Sequence, residues 1–203
     1  SENSSNAMQE LINSYPEIVF VGAAGNDNSS TLFYPAAYVN VIGVGSVDSD
    51  DTKSSFSNYN AGFPTWVDIA SPGGFSNGGL LSTVYTNDLN SYVKFGGTSM
   101  AAPFAAGLVG LMLSVNPSKT PTEILNCLIS SGVDINQNIG NRIDAYAALI
   151  CVLPDTNDPI PGFTASPQIV YEGQSVNFSN YSVGGDNWDW TFEGGSPSTY
   201  QGE

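Results

Sequence analysis

The stretch FGGTSMAAP, residues 95–103, sets two glycines, a threonine and a serine directly before a run of small residues that ends in proline. Glycine permits a sharp turn, and Thr98 is a good N-cap, which would place Ser99 in the first turn of a helix. The backbone N–H groups there are unpaired and the helix dipole is positive, so an oxyanion beside Ser99 would be stabilised. Two interpretations follow: Ser99 is an ordinary helix-start residue, or it is a nucleophile.

The composition restricts the chemistry that is open to this chain. Among its 203 residues, 4 are Lys or Arg and 19 are Asp or Glu, and the net charge of -15 disfavours nucleic acid and anionic membranes as partners. The chain contains no histidine, so it has no imidazole of its own to act as a base or a metal ligand. We also expect no segment that spans a bilayer. Because the given sequence contains neither an initiator Met nor a signal peptide and both of its ends look cut, we expect a fragment of a longer protein.

The apolar pattern predicts an α/β domain in the first three quarters of the chain. Runs rich in β-branched residues predict strands of a parallel sheet at 18–26, 39–48 and 66–74. Helical periodicity predicts helices at 5–17, 98–117, 120–132 and 140–152. The helix over 98–117 is apolar on nearly all sides, so we expect it to be buried. Thr120 and Glu123 form a capping-box pattern at the start of the third helix.

The character of the sequence changes after residue 153. Residues 154–162 carry three prolines and are typical of a linker. Residues 163–203 alternate apolar and polar side chains between glycine-rich turns, which predicts part of an all-β sandwich. Trp188 and Trp190 would face the same side of a strand, either in the core of the sandwich or as an exposed pair that stacks on a polymer.

A second polar residue bears on the role of Ser99. The segment VGAAGN, residues 21–26, ends a predicted buried strand with Asn26. Because ligands of α/β proteins bind at the carboxyl ends of parallel strands, Asn26 could donate an N–H to the same oxyanion. Taken alone, Asn26 is more simply a turn residue.

Taken together, these motifs resemble the subtilisin-like (subtilase) serine proteases. The matching stretches, all within residues 5–152, are GTSMAAP, AAGN, YPAAYVNVIGVGSVD, SSFSNY and DIASPG. The resemblance implies that Ser99 is the nucleophile and that Asn26 and the Ser99 backbone N–H form the oxyanion hole. It also implies a set of substrate-binding residues: Ala24, Gly25, Phe33, Gly97 and Thr98. The catalytic Asp and His of the family come earlier in its chain order, so we expect them upstream of Ser1 and expect the fragment alone to be inactive.

The resemblance carries further expectations about specificity, metal and location. Phe33 would lie near the base of the S1 pocket, which binds the side chain before the scissile bond, and would restrict that pocket; the alternative is core packing. No cofactor is required for the chemistry, but the family often binds structural Ca²⁺, here through backbone carbonyls of Ala36, Tyr38 and Val41. A secreted or cell-surface bacterial protein is implied. Cys127 and Cys151, which the residues alone leave open as thiols or a disulfide, lie on helices that the family packs near each other, which favours a disulfide.

The tail resembles the first half of a PKD (polycystic kidney disease) domain, which implies a spacer or a binder of matrix polymers. The predicted organisation is the C-terminal part of a subtilase catalytic domain (1–153), a linker (154–162) and a partial PKD-like sandwich (163–203). The predicted function is a serine endopeptidase that cleaves proteins or peptides through an acyl-enzyme on Ser99. The alternatives are a non-catalytic binding module with the same fold and an adhesion protein led by the sandwich.

Overall fold

The computed structural model describes residues 3–76, 78–84, 91–153, 162–167, 169–180, 182, 188–192, 194–197 and 199–202. They divide into two compact units, Ser1–Val152 (unit 1) and Leu153–Glu203 (unit 2). The elements of unit 1, in chain order, are α1 (Asn6–Asn13), β1 (Phe20–Ala23), β2 (Val41–Val47), β3 (Ile69–Pro72), β4 (Leu80–Thr83), β5 (Tyr92–Phe95), α2 (Thr98–Val115), α3 (Pro121–Ser131), β6 (Asn141–Arg142) and α4 (Ala145–Val152).

Unit 1 is built on a parallel sheet in the order β1-β2-β3-β6. All seven residues of β2 are buried, which explains why its sequence is a continuous apolar run rather than an alternating one. The first three strands are shorter than the predicted runs but lie within them. The mixed α/β class with a parallel sheet and flanking helices is therefore confirmed.

The core of unit 1 has one layer on each face of the sheet. On one face, Ile42, Val44 and Ile69 pack against apolar side chains of α2, α3 and α4. On the other face, alternate strand residues such as Val47 and Ala70 pack against Trp66, Val67 and Ile139. A disulfide between Cys127 and Cys151 joins α3 to α4, with the two Cα atoms 5.7 Å apart.

The apolar helix α2 is less buried than its composition predicts. Ala101, Ala105 and Leu108 pack into the core, but Phe104 and Leu111 are 50% and 55% exposed. The expectation of burial on nearly all sides is therefore wrong. By length and composition alone α2 could also cross a membrane, contrary to expectation, yet it packs on β1, β2 and β3 as the core helix of a globular unit does.

Two further elements differ from the sequence prediction. Residues 141–142 form β6 beside β3 rather than the start of a helix. The helix begins only at Ala145, because the Asp144 carboxylate accepts a hydrogen bond from the Ala147 N–H (2.9 Å) and caps that end. The antiparallel pair β4–β5, which directly precedes the Ser99 motif, was not predicted.

Unit 2 contains two antiparallel strand pairs in its described part. They are formed by β7 (Phe163–Ser166) with β8 (Asn177–Asn180), and by β9 (Trp188–Thr191) with β10 (Thr199–Gly202). Trp190 packs edge-on against Phe163, with ring centroids 5.2 Å apart, and its ring centroid lies 5.8 Å from that of Phe178. Trp190 thus belongs to an aromatic cluster, as the core alternative requires. The side chain of Trp188 and most of the expected linker lie outside the described residues.

Candidate active site

Ser99 lies in the first turn of α2 and is exposed. Gly97, not Thr98, is the N-cap, and its φ of +150° is a value that residues with a Cβ rarely adopt. The predicted N-cap role of Thr98 is therefore wrong, since Thr98 is the first helical residue. The Ser99 N–H donates to no other described residue, so it is available to a ligand.

Asn26 lies beside this turn. It follows β1, is exposed, and accepts hydrogen bonds on Oδ1 from the Thr98 N–H (2.9 Å) and the Thr98 hydroxyl (3.0 Å). A backbone N–H can only donate, so the atom that faces it must be the carbonyl oxygen of the amide. The Asn26 Nδ2 group is thereby left as a donor, and it lies 3.4 Å from the position that a Cβ on Gly97 would occupy.

The Thr98 side chain connects the first turn of α2 to the turn that carries Asn26. It is 1% exposed, and its hydroxyl accepts from the Gly25 N–H (3.0 Å) while it donates to Asn26 Oδ1. Both hydrogen-bonding functions of the hydroxyl are satisfied within the protein. Thr98 was predicted among the substrate-binding residues, but its side chain faces the Asn26 turn.

A residue that the sequence analysis missed lies against the same turn. Asn58 is 1% exposed and makes hydrogen bonds with the backbone of Ala24, Asp27 and Ser29. It belongs to the matched stretch SSFSNY, but nothing local marks its contacts, which span about thirty residues of chain.

An apolar cavity of about 380 Å³ adjoins Ser99. The β4–β5 pair supplies one wall through Leu80, Leu81 and Phe95, and α2 supplies the other through Met100 and Phe104. Sequence reasoning missed this cavity because it missed the strand pair. Such a surface suits apolar side chains of a ligand that reaches Ser99.

Phe33 lies against the Asn26 turn. A Cβ on Gly25 would stand 3.1 Å from its ring. The ring is half-buried and packs on the core layer that includes Ala24 and Ala36. Both earlier interpretations of Phe33 are compatible with this position, since the ring reaches the core and also borders the turn.

The three predicted carbonyl ligands line one cavity of about 450 Å³, away from Ser99. Ala36, Tyr38 and Val41 share it with Asp68, a carboxylate that the sequence analysis did not single out. Asp68 Oδ2 accepts from the Gly43 N–H (2.7 Å), but burial outweighs that bond and raises the pKa of Asp68 to about 6. In the described part of the chain, no group of three or more His, Cys, Asp or Glu side chains could hold a metal ion.

Comparison with known proteins gives a consistent result. The model of the subtilase family (Peptidase_S8) matches residues 1–147. The halolysin-like extracellular serine protease Nep of Natrialba magadii is 38% identical over 144 residues, which cover 71% of this chain and 24% of that protein. Halolysin of Haloferax mediterranei is 32% identical over 179 residues, which cover 84% and 31% respectively.

A solved structure agrees with these sequence matches. A protease from Pseudoalteromonas arctica PAMC 21717 superposes with a TM-score of 0.67 at 32% identity, over 74% of this chain and 48% of that one. The chain therefore spans less than half the length of each of these three proteins.

Proposed function

Because the chain belongs to the subtilase family, we propose that it supplies the nucleophile and the oxyanion hole of a serine endopeptidase. One observation carries the proposal: Thr98 binds the oxygen of the Asn26 amide and so leaves its Nδ2 as a donor at the start of α2, where the unpaired N–H and the exposed side chain of Ser99 also lie. A plain helix-start serine would need neither the oriented asparagine nor the apolar cavity.

The chemistry follows from this placement. Ser99 Oγ attacks the peptide carbonyl carbon while a base takes its proton, and the negative charge on the carbonyl oxygen is held by Asn26 Nδ2 and the Ser99 N–H. The base returns the proton to the leaving amine, and water then hydrolyses the ester on Ser99. Since this chain has no histidine, the base is a histidine carried by the longer protein, upstream of this chain.

The substrate-binding residues surround this centre. Ala24, Gly25 and Gly97 are buried and their backbone groups bond within the protein, so they shape the turns beside the bound peptide, and Thr98 orients Asn26. Phe33, which borders the same turn, narrows the S1 pocket and favours small side chains there. The test compares wild type and Phe33→Gly on peptides that carry Ala or Phe just before the scissile bond. If both proteins prefer the same residue to the same degree, this assignment is contradicted.

The experiment that tests the proposal is active-site labelling of the parent-length protein. A fluorophosphonate should add once to the wild type, as read by intact mass, and should not add to Ser99→Ala. Ser114→Ala, which changes an exposed serine of the same helix, is the matched control and should label normally. No adduct on a folded, processed protein would reject the enzyme and favour the second candidate, a non-catalytic binding module with this fold.

For the metal, we propose a structural Ca²⁺ site at the carbonyls of Ala36, Tyr38 and Val41. The donor set fits, because carbonyl and carboxylate oxygens are the ligands that Ca²⁺ prefers, and the Asp68 carboxylate lines the same cavity. The ion would hold the β1–β2 connection and take no part in the chemistry. Calcium should raise the melting temperature of the wild type and have a smaller effect on Asp68→Asn; equal effects contradict the site.

For unit 2, we propose a partial PKD-like sandwich at residues 163–203, joined by a linker at 154–162 to the catalytic part at 1–153. The antiparallel pairs and the aromatic cluster around Trp190 support this. The match to halolysin also covers more of the chain than unit 1 comprises. If the parent protein binds collagen or polysaccharide and the Ser99→Ala variant still does, polymer binding is assigned to unit 2. If neither protein binds, unit 2 is assigned the role of a spacer.

For location, we propose a secreted or cell-surface bacterial protein. The disulfide fits an oxidising compartment, and one relative is named an extracellular protease. Immunodetection in the culture medium and on the cell surface, against a cytosolic marker, tests this, and a protein confined to the cytosol contradicts it.

A further inference from the structure

We propose that Asn58 is a positioning residue of the oxyanion hole, which acts through Asn26 and does not touch the substrate. This inference rests on the proposed function, because it concerns how the Asn26 donor is held in place. It is carried by a set of contacts between Asn58 and the backbone of the Asn26 turn, which are separate from the contacts that Thr98 makes.

The Asn58 amide bonds the backbone on both sides of Asn26. Its Nδ2 donates to the Ala24 carbonyl (2.9 Å), which precedes Asn26. Its Oδ1 accepts from the N–H groups of Asp27 (2.9 Å) and Ser29 (3.0 Å), which follow Asn26. A single planar amide therefore sets the distance between the backbone that precedes Asn26 and the backbone that follows it.

The turn closes directly onto this amide. Gly25 has a φ of +102°, a conformation that favours glycine. A Cβ built on it would lie 2.5 Å from Asn58 Nδ2, so a residue with a side chain does not fit at this position. The Asn58 N–H also donates to the Gly25 carbonyl (3.0 Å). Asn58 is 1% exposed, and removal of its side chain would deprive three backbone groups of this partner.

The segment around Asn58 is itself anchored to the turn. The Asn28 N–H donates to the Phe56 carbonyl (2.8 Å), and the Tyr59 N–H donates to the Ser29 carbonyl (3.1 Å). Lys53 Nζ bridges the two segments, with hydrogen bonds to Asn28 Oδ1 (2.9 Å) and the Ser57 carbonyl (3.1 Å). These bonds hold the backbone around Asn58 in place, so the Asn58 amide can hold the Asn26 turn in place in the same way.

The placement of Asn26 thus depends on two independent sets of bonds. Thr98 fixes the side-chain oxygen of Asn26, and Asn58 fixes the backbone that carries it. An oxyanion donor is effective only where its N–H is aimed at the developing charge before the reaction begins. Removal of Asn58 should therefore weaken the transition-state interaction more than it weakens substrate binding.

A neighbouring residue provides a closely matched control. Asn60 is also buried, and its amide makes the same three types of bond: Oδ1 accepts from the N–H groups of Trp66 (3.0 Å) and Val67 (3.1 Å), and Nδ2 donates to the Val67 carbonyl (2.8 Å). None of these partners belongs to the Asn26 turn. Asn60→Ala therefore measures the cost of a lost buried amide without disturbance of the site.

The experiment compares these variants in the parent-length protein, with a chromogenic peptide substrate and at a temperature where all of them are folded. Asn58→Ala and Asn60→Ala should lower the melting temperature by similar amounts. Asn58→Ala should lower kcat by about 10- to 100-fold with KM changed less than about threefold, whereas Asn60→Ala should keep kcat within about threefold. Equal losses of kcat in the two variants would overturn the inference.

A double-mutant cycle with Asn26→Ala separates this inference from the proposed function. If Asn58 acts through Asn26, Asn58→Ala should lower kcat much less in the Asn26→Ala background than in the wild type. The same fold loss in both backgrounds overturns the positioning role alone. If Asn26→Ala itself leaves kcat unchanged, the oxyanion hole is wrongly assigned and both ideas fail. Should Asn58→Ala not fold, Asn58→Ser retains a hydroxyl at the position and is subject to the same cycle.

Discussion

The Asn26 amide is a donor to the site because its oxygen is already occupied. Two hydrogen bonds from Thr98 take Oδ1, and the flat amide then has to present Nδ2 on its other side. A rotation of the amide would set two N–H groups against each other at 2.9 Å, so the orientation is enforced. Thr98 is buried and has no part in contact with solvent, yet it decides which atom a substrate meets.

Replacement of Thr98 by valine should reduce activity without loss of the fold. Thr98→Val keeps the shape and the backbone N–H but removes the hydroxyl, which leaves the Gly25 N–H buried and unpaired. We expect a loss of about 1–3 kcal/mol in the free energy of unfolding and about tenfold in kcat. Urea unfolding and peptide hydrolysis measure the two effects. Thr98→Ser retains the hydroxyl and should stay near the wild type; a Val variant as active as the Ser variant contradicts this role.

Asp68 should make the stability of unit 1 depend on pH. Its pKa is raised from 3.8 to about 6 by burial, so the folded state favours the protonated carboxyl. That stabilisation is complete below pH 4 and is lost as the pH rises from about 4 to about 6, at a cost of about 3 kcal/mol. Asp68→Asn can still accept from the Gly43 N–H but carries no charge, so its stability should vary less over this range.

The measurement is urea unfolding at pH 4 and pH 7, in the presence of a chelator so that no cation compensates the carboxylate. The Asp68→Asn variant should be about as stable as the wild type at pH 4 and more stable at pH 7. Asp50→Asn, which removes an exposed carboxyl, is the control. A wild-type pH slope that persists in Asp68→Asn would show that another group is responsible.

At the level of elements, local signals were predicted well and long-range contacts were not. The capping box of α3 is present as expected, because Thr120 and Glu123 need only each other and the adjacent backbone. The start of α4 was misplaced because residues 141–142 pair with β3, about seventy residues away in the chain. The composition of α2 did not predict that one side of the helix is exposed. A helix that is apolar on all sides gives no information on which of its sides other elements cover.

The candidate site follows the same division. Ser99 and Asn26 could be named as candidates from the sequence because each lies within a recognisable motif and at the end of an element. Asn58 was missed because its role consists of bonds to residues 24–29, which only the folded chain brings near. Asp68 was missed because its burial, rather than its neighbours in sequence, makes it unusual.

The α3 capping box offers a test at this scale. Thr120→Ala removes the side chain that accepts from the Glu123 N–H and should lower the free energy of unfolding by about 1 kcal/mol. Thr122→Ala, two positions further into the same helix, removes a threonine with no capping role and should be neutral or slightly stabilising. Thermal unfolding of the two variants measures the difference, and equal effects would mean that the box does not stabilise α3.

At the level of the whole molecule, the catalytic apparatus proposed above is incomplete in this chain. Ser99 and Asn26 are exposed and oriented, but the sequence holds no histidine, and Phe104 and Leu111 of α2 lie open to solvent. Phe104 also lines the cavity beside Ser99. The chain spans less than half the length of each of the three proteins compared above.

The 203-residue chain expressed alone should therefore fold around its sheet but not react. Without a base to take its proton, the Ser99 hydroxyl is a weak nucleophile, and we expect no fluorophosphonate adduct on the isolated chain at neutral pH. Circular dichroism establishes folding, and intact mass measures labelling beside the parent-length protein. A Ser99-dependent adduct on the isolated chain would show that a base other than histidine serves this site.

The disulfide between Cys127 and Cys151 closes a covalent ring that contains the C-terminal part of α3, all of β6 and most of α4. With the proposed function, the protein would be exposed to backbone cleavage by its own copies. If one peptide bond inside this ring were cleaved, the disulfide would still join the two fragments. The helices on either side of the cleaved bond could then pack together again. Such damage would be invisible on a gel until the sample is reduced, when a single band would resolve into two.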